Sequence, residues 1–119
     1  MHSKLSVMGV EMRFDRELLK GNTVTLVLSV LEERPMYGYQ LVKEIERRSE
    51  GIFKFPHGTL YPLLYNLERK GLIKGEWRVE GRRNRKYYSL TPKGRKVLER
   101  SRKEWKVFVK GMKLVLGEI

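Results

Sequence analysis

Cysteine is absent from the 119 residues, which excludes disulfides and cysteine-ligated metal sites. That absence fits a reducing cytoplasm. Histidine occurs only as His2 and His57, and no cluster of histidines and acids has metal-ligand spacing, so no metal or cofactor is expected. The chain has no G-x-S-x-G elbow and no glycine-rich phosphate loop, so no catalytic residue is nominated and an enzyme is not expected. No apolar run approaches the ~20 residues that a membrane span requires. The opening MHSKLSVMGVEMRF also lacks the continuous apolar core of a signal peptide. The expectation is a soluble cytoplasmic protein of one domain's size, with no membrane partner.

Acids are scarce as well. Lys and Arg number 26 against 14 Asp and Glu, a formal charge of +12. The surplus is local: residues 1–50 balance to zero, and residues 51–119 hold all of it. A localised surplus points to a polyanion, because neutralised phosphates release condensed counterions. The alternative is a solvated, lysine-rich surface.

Periodicity orders the rest. Residues 1–14 show no period and read as an N-terminal arm. Residues 15–91 form the main body, and residues 92–119 form a C-terminal helix. DRELLKGNTVTLVLSVLEERP predicts a helix apolar on most sides, with Asn22 or Thr23 as its cap, although its β-branched residues also suit a buried strand. MYGYQLVKEIERRSEG predicts a second, amphipathic helix that Gly51 stops. In FPHGTLYPLLYNLERKGLI, Leu60, Leu63, Leu64 and Leu67 make one apolar stripe, Thr59 is the expected N-cap, and Gly71 ends the helix. The period then drops to two. Trp77 and Val79 alternate with charged residues, and Tyr88 and Leu90 with Tyr87 and Ser89, giving a two-stranded hairpin with its tip at Gly81–Asn84. Trp77 is expected in the core. Thr91-Pro92 is a cap followed by proline, opening a helix to about Leu116, ~37 Å long. Leu98, Ser101, Trp105, Phe108, Met112 and Val115 follow a 3-4-3-4-3 spacing on it, the pattern of a seam between two copies. Packing on the chain's own core is the alternative for that stripe.

Three helices, a basic hairpin and a long helix describe a mainly α protein with a small β-hairpin. The expected fold is a winged helix-turn-helix plus a long C-terminal dimerisation helix, in which the third helix enters a DNA major groove and the hairpin reaches the flank. With the leucines inward, Thr59, Tyr61, Tyr65, Asn66 and Arg69 face outward. Hydroxyls there suit phosphate oxygens, Asn suits adenine, and Arg suits guanine or phosphate. Tyr61 has an equal reading as a half-buried packing residue. His57, beside the helix start, is placed to cap it or touch a phosphate. Arg82, Arg83, Arg85 and Lys86 crowd five residues, and facing phosphates would relieve their mutual repulsion. Lys54, Lys70 and Lys74 are weaker candidates or plain solubilising charges. Trp105 reads as a packing residue of the seam or as the wall of a site for a flat aromatic ligand.

The motifs MYGYQL, FPHGTLYPLLYNLERKGLI and GRRNRKYYSLTPKG resemble the PadR-like transcriptional regulators. The likeness runs from about Leu18 to Trp105 and centres on Gly58–Ile73 and Arg85–Gly94. The resemblance implies a homodimeric winged-helix repressor whose C-terminal helix builds the dimer. The short tail is similar to the subgroup with a single C-terminal helix. Some members of that subgroup hold planar drugs at the dimer interface beside a tryptophan, whose place Trp105 takes. His57 stands where the family more often has proline or another small residue. The expected partners are double-stranded DNA on a palindromic operator, a second copy of the chain, and a small aromatic effector. A nonspecific nucleic-acid-coating protein and a small-molecule sensor with secondary DNA contact are the rival readings.

Overall fold

A computed structural model describes residues 6–7, 10–11, 16–56 and 58–117. In chain order the elements are β1 (Ser6–Val7), β2 (Val10–Glu11), α1 (Arg16–Leu31), β3 (Met36–Tyr37), α2 (Gly38–Arg48), α3 (Tyr61–Arg69), β4 (Ile73–Glu80), β5 (Arg83–Leu90) and α4 (Pro92–Leu116). The expected role of His57 lies outside the described residues. Of the arm, only β1 and β2 are described, paired antiparallel with Val7 opposite Val10.

The apolar run of α1 resolves as a helix. Val27 and Leu28 are fully buried, Val30 and Leu31 nearly so, and α1 packs against α2, α4 and β5. Asn22 and Thr23 do not cap it, because the helix begins at Arg16. Both turn their side chains back along the helix. Asn22 Nδ2 donates to the Leu18 carbonyl and Thr23 Oγ1 to the Leu19 carbonyl, each at 2.7 Å. A polar side chain that competes for backbone carbonyls is tolerated inside a helix in this way.

The leucine stripe of α3 turns inward as its spacing predicts. Leu60, Leu64 and Leu67 are buried and Leu63 packs against the same core. Thr59 does not cap α3. Leu60 occupies the cap position, and the Thr59 hydroxyl donates to the Pro56 carbonyl at 2.8 Å, tying off the preceding turn. Thr91 does cap α4, accepting from the Gly94 amide at 3.0 Å with Pro92 behind it. A Cβ at Gly94 would overlap the Leu72 carbonyl, so glycine lets the first turn of α4 sit directly on the start of β4.

The sheet has three strands in the order β3-β5-β4, one more than the hairpin alone. Met36 pairs with Tyr88 and Tyr37 with Tyr87, so β5 is central. The turn is tighter than the sequence suggested. Glu80 pairs with Arg83, leaving Gly81-Arg82 as a two-residue loop. Gly81 adopts φ 64°, the left-handed value that the first loop residue of a twist-matched turn requires. Trp77 is 64% exposed, which overturns its placement in the core. Alternation fixes which face of β4 it lies on, but β4 outruns the helices that cover Ile73, and among the described residues Trp77 meets the Lys86 side chain while most of its ring stays open to solvent.

Candidate nucleic-acid interface

The outer face of α3 carries Tyr65, 66% exposed, together with exposed Asn66 and Arg69. Tyr61 is 47% exposed, between its two readings. Its ring stands against the start of α2, where a Cβ at Gly38 would lie 2.9 Å from the Tyr61 hydroxyl. The glycine therefore brings the N-terminal ends of α2 and α3 together on one surface. Thr59 is exposed at the same end.

The four basic residues of the wing divide into two kinds. Arg82 and Arg83, at the turn, are exposed and make no ion pair with any described carboxylate. Arg85 and Lys86 are held. Arg85 donates to Glu80 Oε1 at 2.9 Å and lies 4.4 Å over the Tyr37 ring. Lys86 donates to Glu68 Oε1 of α3 at 2.8 Å. On the outer face of the wing, Tyr87 donates its hydroxyl to Glu80 Oε2 at 2.6 Å, and Arg78 lies 4.2 Å over the Tyr87 ring. The bonds from Tyr87 and then from Arg85 hold the Glu80 carboxyl below its ordinary range, and the bond to Glu80 pushes the Tyr87 phenol up. Lys54 is 3.7 Å from Glu46 and Lys74 is 3.9 Å from Glu76, while exposed Lys70 has no described acid beside it.

Between the wing and the helix starts lies an open cleft of ≈ 810 Å³, lined in part by Tyr37, Tyr39, Tyr61 and Trp77 beside Arg83 and Asn84. Sequence reasoning missed three of these aromatics. Tyr37 belongs to a two-residue strand too short for any period and Tyr39 to the first turn of the helix after it, and Trp77 carried a strand pattern that marks a face but not its cover. The only signal for β3 was the Pro35 stop followed by Met36-Tyr37-Gly38. The whole surface offers hydroxyls, an amide, unpaired guanidinium groups and aromatic faces, the donor set that meets sugar-phosphate and base edges.

The sequence profile of the PadR-like family of transcriptional regulators matches residues 27–100. The chain belongs to this family. It is 33% identical over 88 residues to Transcriptional regulator Rv3488 of Mycobacterium tuberculosis, spanning 74% of this chain and 79% of that one. A crystal structure of a PadR family transcriptional regulator from Eggerthella lenta is 41% identical, with a TM-score of 0.71 over 84% of this chain and 82% of that one. A transcriptional regulator from Clostridium thermocellum is 30% identical, with a TM-score of 0.78 over 85% of this chain and 99% of that one. The protein is therefore a winged-helix transcriptional regulator of a DNA-binding family, not a member of an enzyme family.

In this PadR-like chain α4 runs its full 25 residues as the spacing predicts, but its stripe serves two purposes. Leu98 is fully buried in the protomer's own core. Trp105, Phe108, Met112 and Val115 are left 38%, 53%, 43% and 87% exposed. Trp105 packs edge-on to Phe108 with ring centroids 5.5 Å apart, and its indole N–H donates to Asn22 Oδ1 of α1 at 2.9 Å. A hollow of ≈ 440 Å³ beside them is floored by Leu18, Gly21 and Asn22. No described helix is long and apolar enough to cross a membrane.

Proposed function

We propose that the protein acts in the cytoplasm as a homodimeric repressor on a palindromic duplex operator. Two copies of α3 enter successive major grooves about 34 Å apart, and the wings grip the flanks. Residues 15–91 carry the DNA contact and residues 92–119 the dimer contact. Tyr65, Asn66 and Arg69 face the groove, with Asn66 the base reader. Thr59, Tyr61 and His57 meet the backbone at the helix start, and Arg82 and Arg83 meet flanking phosphates. The observation that carries this reading is the pairing of an exposed polar α3 face with unpaired arginines on the adjacent wing turn.

The dimer rests on the exposed stripe Trp105, Phe108, Met112 and Val115, with Leu98 beneath it in the protomer core. Apolar area withdrawn from water stabilises association by roughly 25 cal/mol per Å² before the cost of ordering, and a second copy's α4 offers the matching stripe. The hollow beside Trp105 favours a flat aromatic effector, because an indole face and Phe108 can stack on it.

Selection of duplexes from random DNA tests the main reading. A two-fold symmetric consensus, bound by a dimer in sedimentation, supports it, and transcription from a promoter carrying that consensus falls when protein is added. A preference-free binder would instead be a coating protein. Quenching of Trp105 fluorescence by planar aromatics, lost in Trp105→Leu, tests the effector.

A further inference from the structure

Lys86 sits in a socket built from three elements. Its ammonium donates to Glu68 on α3, eighteen residues away in sequence, and lies 5.6 Å over the Tyr88 ring and 5.9 Å over the Trp77 ring. The side chain is only 29% exposed and that of Glu68 31%. The hydrogen bond to Glu68 raises the Lys86 pKa, so the ammonium is charged throughout the physiological range.

Gly75 on β4 makes the socket. A Cβ there would overlap Lys86 Cε and stand 3.0 Å from Glu68 Oε2. The φ of Gly75 is not in the left-handed region, so backbone freedom does not explain the glycine. Space does: the lysine stem crosses β4 through the gap where a side chain would be.

We propose that Glu68 and Lys86 form a strut, passing over Gly75, that fixes the wing relative to the groove-reading helix and so sets sequence selectivity. Lys86 is then a positioning residue and not a phosphate ligand. The inference rests on the operator-binding reading above. A partly solvated ion pair adds little to stability. Its value here is geometric, since α3 and the wing must meet groove and flank at one fixed separation.

The sign of one substitution is diagnostic. Removing an acid from a DNA-facing surface ordinarily tightens binding to every duplex, since it removes repulsion from the phosphates. The strut predicts the opposite for the selected site. The probes are a duplex selected by the wild-type chain and a scrambled duplex of equal length. Glu68→Gln and Gly75→Ala should each lower the ratio of selected to scrambled affinity by about three- to tenfold. Lys86→Met should do the same without changing the slope of log affinity against log salt. Gly75→Ala separates positioning from folding, because it displaces a flexible stem and exchanges a strand glycine for a residue with less unfolded-state entropy, so the melting temperature holds or rises. The exchange Glu68→Lys with Lys86→Glu should recover selectivity that Lys86→Glu alone loses. The strut is overturned if Glu68→Gln tightens both duplexes equally, or if Lys86→Met makes the salt slope shallower by about 0.9 for each phosphate the lysine had neutralised. If the wild-type chain shows no selectivity at all, the operator reading fails instead.

Discussion

Arg47, Arg48, Arg95 and Arg102 all lie within 3.4 Å of a carboxylate, whereas Arg69, Arg82 and Arg83 face solvent with no described acid in reach. The first group belongs to the side of the molecule built by α1, α2 and α4. There Glu32 gathers Arg95 and Arg102, and Glu44 gathers Arg47 and Arg48. The second group belongs to α3 and the wing turn. One residue type thus does two jobs. Arg95 and Arg102 tie α4 to the end of α1 and Arg47 and Arg48 brace α2 along its own length, so these pairs present little net field, while unpaired arginines leave a field for a partner to neutralise. The formal +12 is a net figure in which each carboxylate has already cancelled one cation.

The largest effect should come from the unpaired set. Arg82→Ala with Arg83→Ala should weaken every duplex alike, with a salt slope shallower by roughly 3–4 in a dimer, if each arginine meets one phosphate. Thermal stability should stay within about 0.5 kcal/mol, as for other exposed surface changes. A filter-binding series from 50 to 200 mM salt checks both statements. Asn66→Ala is next: it should relax the preference at one base pair per half-site by about 1–3 kcal/mol and leave scrambled duplexes unaffected. Equal loss on all sequences would remove Asn66 from base reading.

The paired set should respond in stability and not in DNA affinity. The bonds from Arg47 and then Arg48 hold Glu44 at about 2, against an ordinary 4.5. A carboxyl whose folded value is depressed stabilises the fold above its unfolded value and loses that contribution as pH falls through the folded one. Urea unfolding should therefore show wild type more stable than Glu44→Gln at neutral pH, with the gap closing between about pH 4.5 and 2. Arg102→Ala should have the smallest effect, about 1 kcal/mol or less, because the pair with Glu32 is partly solvated. Operator affinity should not change.

The same contrast explains what could be read from the sequence. The α3 stripe and the Thr91-Pro92 start of α4 were legible, because helix period and capping are local and each residue carries its own evidence. The inward face of α3 then fixed which side chains point out. What failed depended on residues far along the chain. Trp77 lies on the correct face of β4, but how far the helices extend over that face is a tertiary quantity. Leu98 and Trp105 share one stripe, yet only the first meets the protomer's core. Arg85 and Lys86 looked like the free arginines beside them until Glu80 and Glu68 were brought across. Strand β3 is two residues long, below the length at which a period exists. Asn22 and Thr23 carry capping chemistry that serves equally well inside a helix, and nothing local separates the two uses.

The central claim is that the α3 face lies in the major groove while the α4 side stays clear of DNA. The absence of native cysteine allows one to be introduced alone, as Lys70→Cys at the end of α3 or Lys106→Cys on α4, and coupled to an iron chelate that cuts nearby DNA. On a selected duplex, the label at position 70 should cut two segments about one helical turn apart, and the label at position 106 should cut none. Cutting from position 106, with none from position 70, would contradict the account.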